Sequence, residues 1–113
     1  MDPEQYLPLK AEVFRILMRL LEGPSHGYQI MTDIREATDG SVNLLPGALY
    51  RHLAKLLEQA VIEEVEGSEL GSEADQRRRY YAVTPLGRQV ARAEAQRLAQ
   101  LLDLAAAHRL VDP

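Results

Sequence analysis

The chain predicts a mainly α fold with one small β-hairpin, in the order α-α-α-β-β-α. Three observations predict it. Apolar residues recur at helical spacing in three early segments, which Gly, Pro and Ser separate. Two short runs rich in β-branched and aromatic residues follow, 61–65 and 79–84. A last segment opens on Thr84-Pro85 and is rich in Ala and Leu.

The first helix is predicted between Pro8 and Glu22. Its apolar stripe is Leu9, Val13, Ile16, Leu17, Leu20 and Leu21, spaced for one helical face. Gly23-Pro24 ends it, because Gly accepts the C′ backbone and Pro forbids continuation. Ser25 is read as the N-cap of a second helix. That helix carries Tyr28, Ile30, Met31 and Ile34 and stops near Asp39-Gly40. Pro46 suits the first position of a third helix. Leu49, Leu53, Leu56 and Leu57 form its inner stripe, while Gly47, Tyr50, Arg51 and Ala54 face outward, with His52 and Lys55 at the edges. Between the two strands, residues 66–76 contain Gly67, Ser68, Gly71 and Ser72 and read as a long hairpin loop. Thr84 at N-cap and Pro85 at N1 start the last helix, which runs to about Leu110.

Composition narrows the function. A chain of 113 residues with 46% apolar and 27% charged residues supports one domain with a modest core. One Phe and no Trp make that core aliphatic. The lack of Cys excludes a disulfide, a thiol nucleophile and a thiolate metal site. No apolar run reaches membrane-spanning length and no signal-peptide pattern opens the chain, so a cytoplasmic protein is expected. His26, His52 and His108 lack metal-ligand spacing and read as helix-end or surface residues. Ser25, Ser41, Ser68 and Ser72 sit in no nucleophile motif, and no carboxylate pair or phosphate loop appears. Neither an enzyme nor a cofactor is expected.

The net charge is −4, but its distribution is uneven. Acid gathers at Glu63, Glu64, Glu66, Glu69, Glu73 and Asp75. Base gathers at Arg77, Arg78 and Arg79, and again at Arg88, Arg92 and Arg97. Three short helices before a hairpin make a helix-turn-helix with a wing, and the third helix is the one expected in a major groove. Gly47 and Ala48 let its N-terminus approach phosphates with free N–H groups. Tyr50 can donate to a phosphate oxygen, and Arg51 and Lys55 can reach a base edge or backbone. The plainer reading of Tyr50, Arg51 and Lys55 is a solvated helix face. On a strand, Arg77 and Arg79 point one way with Tyr81, and Arg78 the other way with Tyr80. They repel each other unless an anion compensates them. A nucleic-acid backbone or minor groove is one such anion, and Glu63, Glu64 or Glu66 across the hairpin another; the two readings are compatible if one arginine is held in a salt bridge and the others are offered.

Three runs together resemble the PadR family of winged-helix transcriptional regulators: Gly23-Pro24-Ser25-His26-Gly27-Tyr28, Pro46-Gly47-Ala48-Leu49-Tyr50 with Leu53, and Arg79-Tyr80-Tyr81 with Thr84-Pro85-Leu86-Gly87-Arg88. The resemblance covers nearly the whole chain. It implies a homodimeric repressor on a pseudo-palindromic double-stranded operator, with Tyr50 and the wing's basic residues at DNA and release by a small-molecule effector. Ala48 stands where many members carry Thr. Ala60 stands where a Gly usually follows the third helix, and a left-handed backbone there would strain Ala by roughly 1 kcal/mol. The acidic hairpin loop is unusual for a wing, and there is no Trp to stack an aromatic ligand.

The expected organisation is a winged-helix DNA-binding domain over residues 6–84 and a C-terminal dimerisation helix over residues 85–113. Around residues 98–107 the apolar surface of the last helix is wider than one small core can cover. Leu98, Leu101, Leu102 and Ala105, with Leu9 and Val13 of the first helix, are the expected dimer contacts. Folding of the last helix back on its own subunit is the alternative. Two copies would then set their third helices about 34 Å apart, one DNA turn. A winged-helix module that binds a protein and no DNA is the alternative function, favoured if Glu63, Glu64 and Glu66 cancel the arginines.

Overall fold

A computed structural model describes residues 2–66 and 78–112. A 3-10 turn at Pro3–Tyr6 leads into helix α1 (Ala11–Leu21). Then come strand β1 (Ser25–His26), helix α2 (Gly27–Ala37), helix α3 (Pro46–Glu58), strands β2 (Ile62–Val65) and β3 (Tyr80–Val83), and helix α4 (Pro85–Ala107). The mainly helical winged arrangement expected from the sequence is present.

Several local expectations are corrected. The first helix starts at Ala11 rather than Pro8, after an extended Lys10. Ser25 is not the N-cap of α2. It lies in β1, which pairs antiparallel with β3 through Ser25↔Tyr81 and His26↔Tyr80. The capping falls to His26, whose Nδ1 accepts from the Gln29 N–H at 3.1 Å. The sheet therefore has three strands, with β3 central between β1 and β2. The pairing of β2 with β3 runs from Ile62↔Val83 to Val65↔Tyr80. Tyr28 does not join the apolar face of α2 and is 60% exposed. His52 is not at an edge: it is buried, and its Nε2 meets the Glu12 carboxylate at 2.9 Å. The expected hairpin loop and its Glu69, Glu73 and Asp75 lie outside the described residues.

The core is aliphatic, as the composition requires. Ile16, Leu17 and Leu20 of α1 meet Ile30 and Ile34 of α2, Leu49, Leu53 and Leu56 of α3, and Val90 and Ala91 of α4. Val61, Ile62 and Tyr81 close it from the sheet. Leu9, Val13 and Leu57 pack on its margin and are partly buried.

Two devices fix α4 against the hairpin. Thr84 caps it as predicted, accepting from the Gly87 N–H at 3.0 Å. Its hydroxyl proton meets the carbonyl oxygens of Ala60 at 2.6 Å and Val61 at 3.0 Å. Gly87 lies so close to the Val61 carbonyl that a side chain there would overlap it. Further along α4, a buried carboxylate pairs with a partly exposed arginine of the same helix. Glu94 is 2% exposed and takes both Arg97 Nε at 2.6 Å and Arg97 Nη2 at 2.9 Å. Those bonds and the backbone N–H of Leu9 hold its carboxyl below the usual range, against the opposing effect of burial.

Candidate nucleic-acid interface

The start of α3 carries the first part of the site. Pro46 occupies the first helical turn, and the extended Leu45 before it has no side-chain capping bond. The N–H groups of Gly47 and Ala48 therefore have no acceptor within the helix. Nothing lies within 4 Å of where a Gly47 side chain would sit, so the backbone is open to approach there. Ala48 is partly buried, whereas Arg51 and Lys55 are exposed on the outer face. Tyr50 is 48% exposed, and its ring lies against the α-carbon of Gly27.

The hairpin supplies the second part. Arg78 and Arg79 are both exposed, just before β3. Arg78 Nη1 sits 3.0 Å from His26 Nε2, and its guanidinium carbon lies 5.7 Å from the centre of the Tyr28 ring. The His26 ring also meets Tyr80 edge-on, with centroids 5.2 Å apart. Arg79 is bound to Glu64 by two parallel bonds, Nε to Oε1 at 3.1 Å and Nη2 to Oε2 at 2.7 Å. That pairing lowers the Glu64 pKa and raises that of Arg79. The Arg79 guanidinium carbon also lies 5.9 Å from the Tyr81 ring centre. Burial, more than any neighbouring charge, pushes the Tyr81 phenol up. Arg77 lies outside the described residues.

The two parts meet. Tyr50, Arg78 and Arg79 line one cleft of about 290 Å³ together with His26, Gly27, Tyr28 and Tyr81. Gly47, Ala48, Arg51 and Lys55 do not line it. The cleft thus presents two guanidinium groups among phenol and imidazole rings. Those are donors and flat faces suited to phosphate oxygens and sugar.

Residue-level reading of the sequence missed Tyr28 and Gly27 as site residues. A signal was present. Tyr28 stands two positions before Ile30, which on a helix places it about 200° away from the buried Ile30–Ile34 stripe. Gly27 follows the capping His26 directly, where no turn of the chain requires glycine, and it is the Tyr50 ring that does.

The expected dimer contacts are distributed unevenly. Leu98, Leu101 and Leu102 are exposed at 39%, 50% and 55%, and Ala105 is partly buried. Leu9 and Val13 pack on their own core. Among the described residues no helix is long and apolar enough to cross a membrane.

The chain was compared with known proteins. The profile of the Transcriptional regulator PadR-like family matches residues 16–93. An uncharacterised 37.1 kDa protein of transposon TN4556 from Streptomyces fradiae is 34% identical over 86 residues, which is 76% of this chain. The chain spans only 22% of that relative's length. A transcriptional regulator from Clostridium thermocellum superposes with a TM-score of 0.70 at 27% identity, covering 95% of this chain and 94% of that one. A PadR family transcription regulator from Clostridium difficile shares the fold with a TM-score of 0.74 at 22% identity, over 88% and 98% of the two chains.

Proposed function

The chain belongs to the PadR-like family of transcriptional regulators, and from that premise we propose that it is a homodimeric repressor of a pseudo-palindromic operator, released by a small-molecule effector. That it binds DNA and regulates transcription follows from the family, which is one of regulators and not of enzymes. The observation that supports the DNA-contact part of this reading is the shared cleft. Tyr50 of α3 and Arg78 and Arg79 of the wing converge on one side of the molecule.

In this reading residues 6–84 hold the DNA and residues 85–113 pair the copies. The N–H groups of Gly47 and Ala48 meet a phosphate, Arg51 and Lys55 reach into the major groove, and Tyr50 donates to the backbone. Arg77, Arg78 and Arg79 grip the flanking phosphates or minor groove. The second copy pairs through Leu98, Leu101, Leu102 and Ala105. It would cover the groove of about 530 Å³ between α1 and α4, where Phe14, Met18 and Leu21 face Ala91 with Arg88 and Arg92 at the rim. An effector with an apolar body and an acidic group suits that enclosed space.

A gel-shift series on the promoter upstream of its own gene tests the DNA reading. Replacing Arg77, Arg78 and Arg79 together by Ala is expected to weaken binding and flatten its salt dependence, with about 0.9 lost from the log–log slope per phosphate contact. An unchanged slope removes the wing from the interface.

A further inference from the structure

Both described wing arginines have partners within the chain. Arg78 lies against rings, those of His26 and Tyr28. Arg79 faces the Glu64 carboxylate in the two-bond geometry that guanidinium also adopts with phosphate. Glu64 therefore occupies the same donor edge of Arg79 that a DNA phosphate would use. The register explains the reach. Glu64 opposes Tyr81 on β3, and Arg79 is two positions from Tyr81 on the same side of the strand. Both partners are substantially exposed, with side-chain exposures of 63% for Arg79 and 46% for Glu64. An exposed pair of this kind is weak enough to exchange partners without unfolding anything.

We propose that Glu64 is an internal competitor for DNA phosphate, which holds Arg79 until a duplex seated on the rest of the interface displaces it. The proposal rests on the wing being a DNA contact. Glu64 then sets affinity without touching DNA: each contact by Arg79 must first exchange a carboxylate for a phosphate.

The test uses full-length protein and a labelled duplex selected from random DNA, with anisotropy titrations across a range of salt. Glu64→Gln is expected to tighten binding about two- to five-fold beyond any gain from Glu63→Gln, the magnitude of releasing an exposed ion pair. Its log–log salt slope is expected to stay close to that of wild type, because Arg79 neutralises the same phosphate in both proteins. In an Arg79→Ala background the extra gain from Glu64→Gln should vanish. If Glu64→Gln and Glu63→Gln act alike, Glu64 repels DNA only as any acid would, and the competitor role is overturned. Weaker binding by Glu64→Gln overturns it too, since Glu64 would then be positioning Arg79 for DNA. Wild-type protein that retains no duplex at any salt overturns the DNA reading itself, a result distinct from either.

Discussion

The Tyr50 ring rests on the α-carbon of Gly27, so closely that a methyl group there would lie 2.7 Å from the Tyr50 hydroxyl oxygen. This contact joins the first turn of α2 to the second turn of α3. It seats the phenol of a side chain that is otherwise half in solvent in the cleft beside the wing.

Gly27→Ala is therefore expected to act on DNA binding rather than on folding. The Gly27 backbone is ordinary helix, and Ala suits a helix better than Gly. The obstructing atoms belong to the free end of Tyr50, which can swing away. Affinity for DNA should fall by a factor close to that of Tyr50→Ala, with the melting temperature changed little. The double variant Gly27→Ala/Tyr50→Ala should be no weaker than Tyr50→Ala alone. Losses that instead add would show that Gly27 matters for another reason.

Ala60 offers the opposite case, a residue strained by its own backbone. Its φ is 59°, left-handed, directly after α3. The conformation is imposed by the exit from the helix, where the Val61 N–H reaches back to the Leu56 carbonyl at 3.0 Å. Ala60→Gly should raise stability by about 1 kcal/mol in urea unfolding, against the usual sign of an Ala-to-Gly change. A loss of stability would mean that the extra freedom of the unfolded glycine chain outweighs the relieved strain.

Most of the fold was legible because its signals are local. Helix stripes depend on spacing and Thr84-Pro85 on residue type, whereas the left-handed backbone at Ala60 was indicated only through the family resemblance. What stayed hidden depends on distant partners. Ser25 looks like an N-cap until β3 claims it as a strand residue. His26 then caps α2, faces Arg78 and meets the Tyr80 ring edge-on at once, and no spacing encodes that. Glu12 and His52 are forty positions apart, and Glu94 meets Leu9 across an even longer separation. The candidate site was half legible. Its basic residues announce themselves by charge, whereas Tyr28 and Gly27 act through the surface they share with residues elsewhere in the chain.

Glu94 predicts a pH dependence of stability. Its carboxyl is held below the ordinary value of 4.5 by Arg97 and by the Leu9 N–H. A carboxylate with a depressed folded-state pKa stabilises fully above its unfolded value. That contribution is lost as pH falls through the folded value. Glu94→Gln should cost about 1–2 kcal/mol at neutral pH. Its deficit relative to wild type should shrink as the pH drops below about 4.5. Urea unfolding of both proteins at several pH values checks this. A deficit that stays constant down to strong acid would assign the cost to packing and not to charge.

The last helix carries the prediction on assembly. Its buried positions are Gly87, Val90, Ala91 and Glu94. The spacing continues without a break through Leu98, Leu101, Leu102 and Ala105, which is one stripe on one helical face. The first half of that stripe covers its own core. The second half extends beyond the core, and its three leucines stand exposed. A single face that is used by its own subunit for two turns and then left in water calls for a second copy of the same surface. Leu101→Asp/Leu102→Asp is expected to halve the mass measured by light scattering at micromolar concentration. The helical circular dichroism of the winged unit should persist, because neither residue belongs to the core. DNA binding should fall by far more than a surface charge explains, since one copy engages only one half-site. Wild-type protein that is monomeric at these concentrations, or a double variant that keeps its dimeric mass, would place the pairing surface elsewhere.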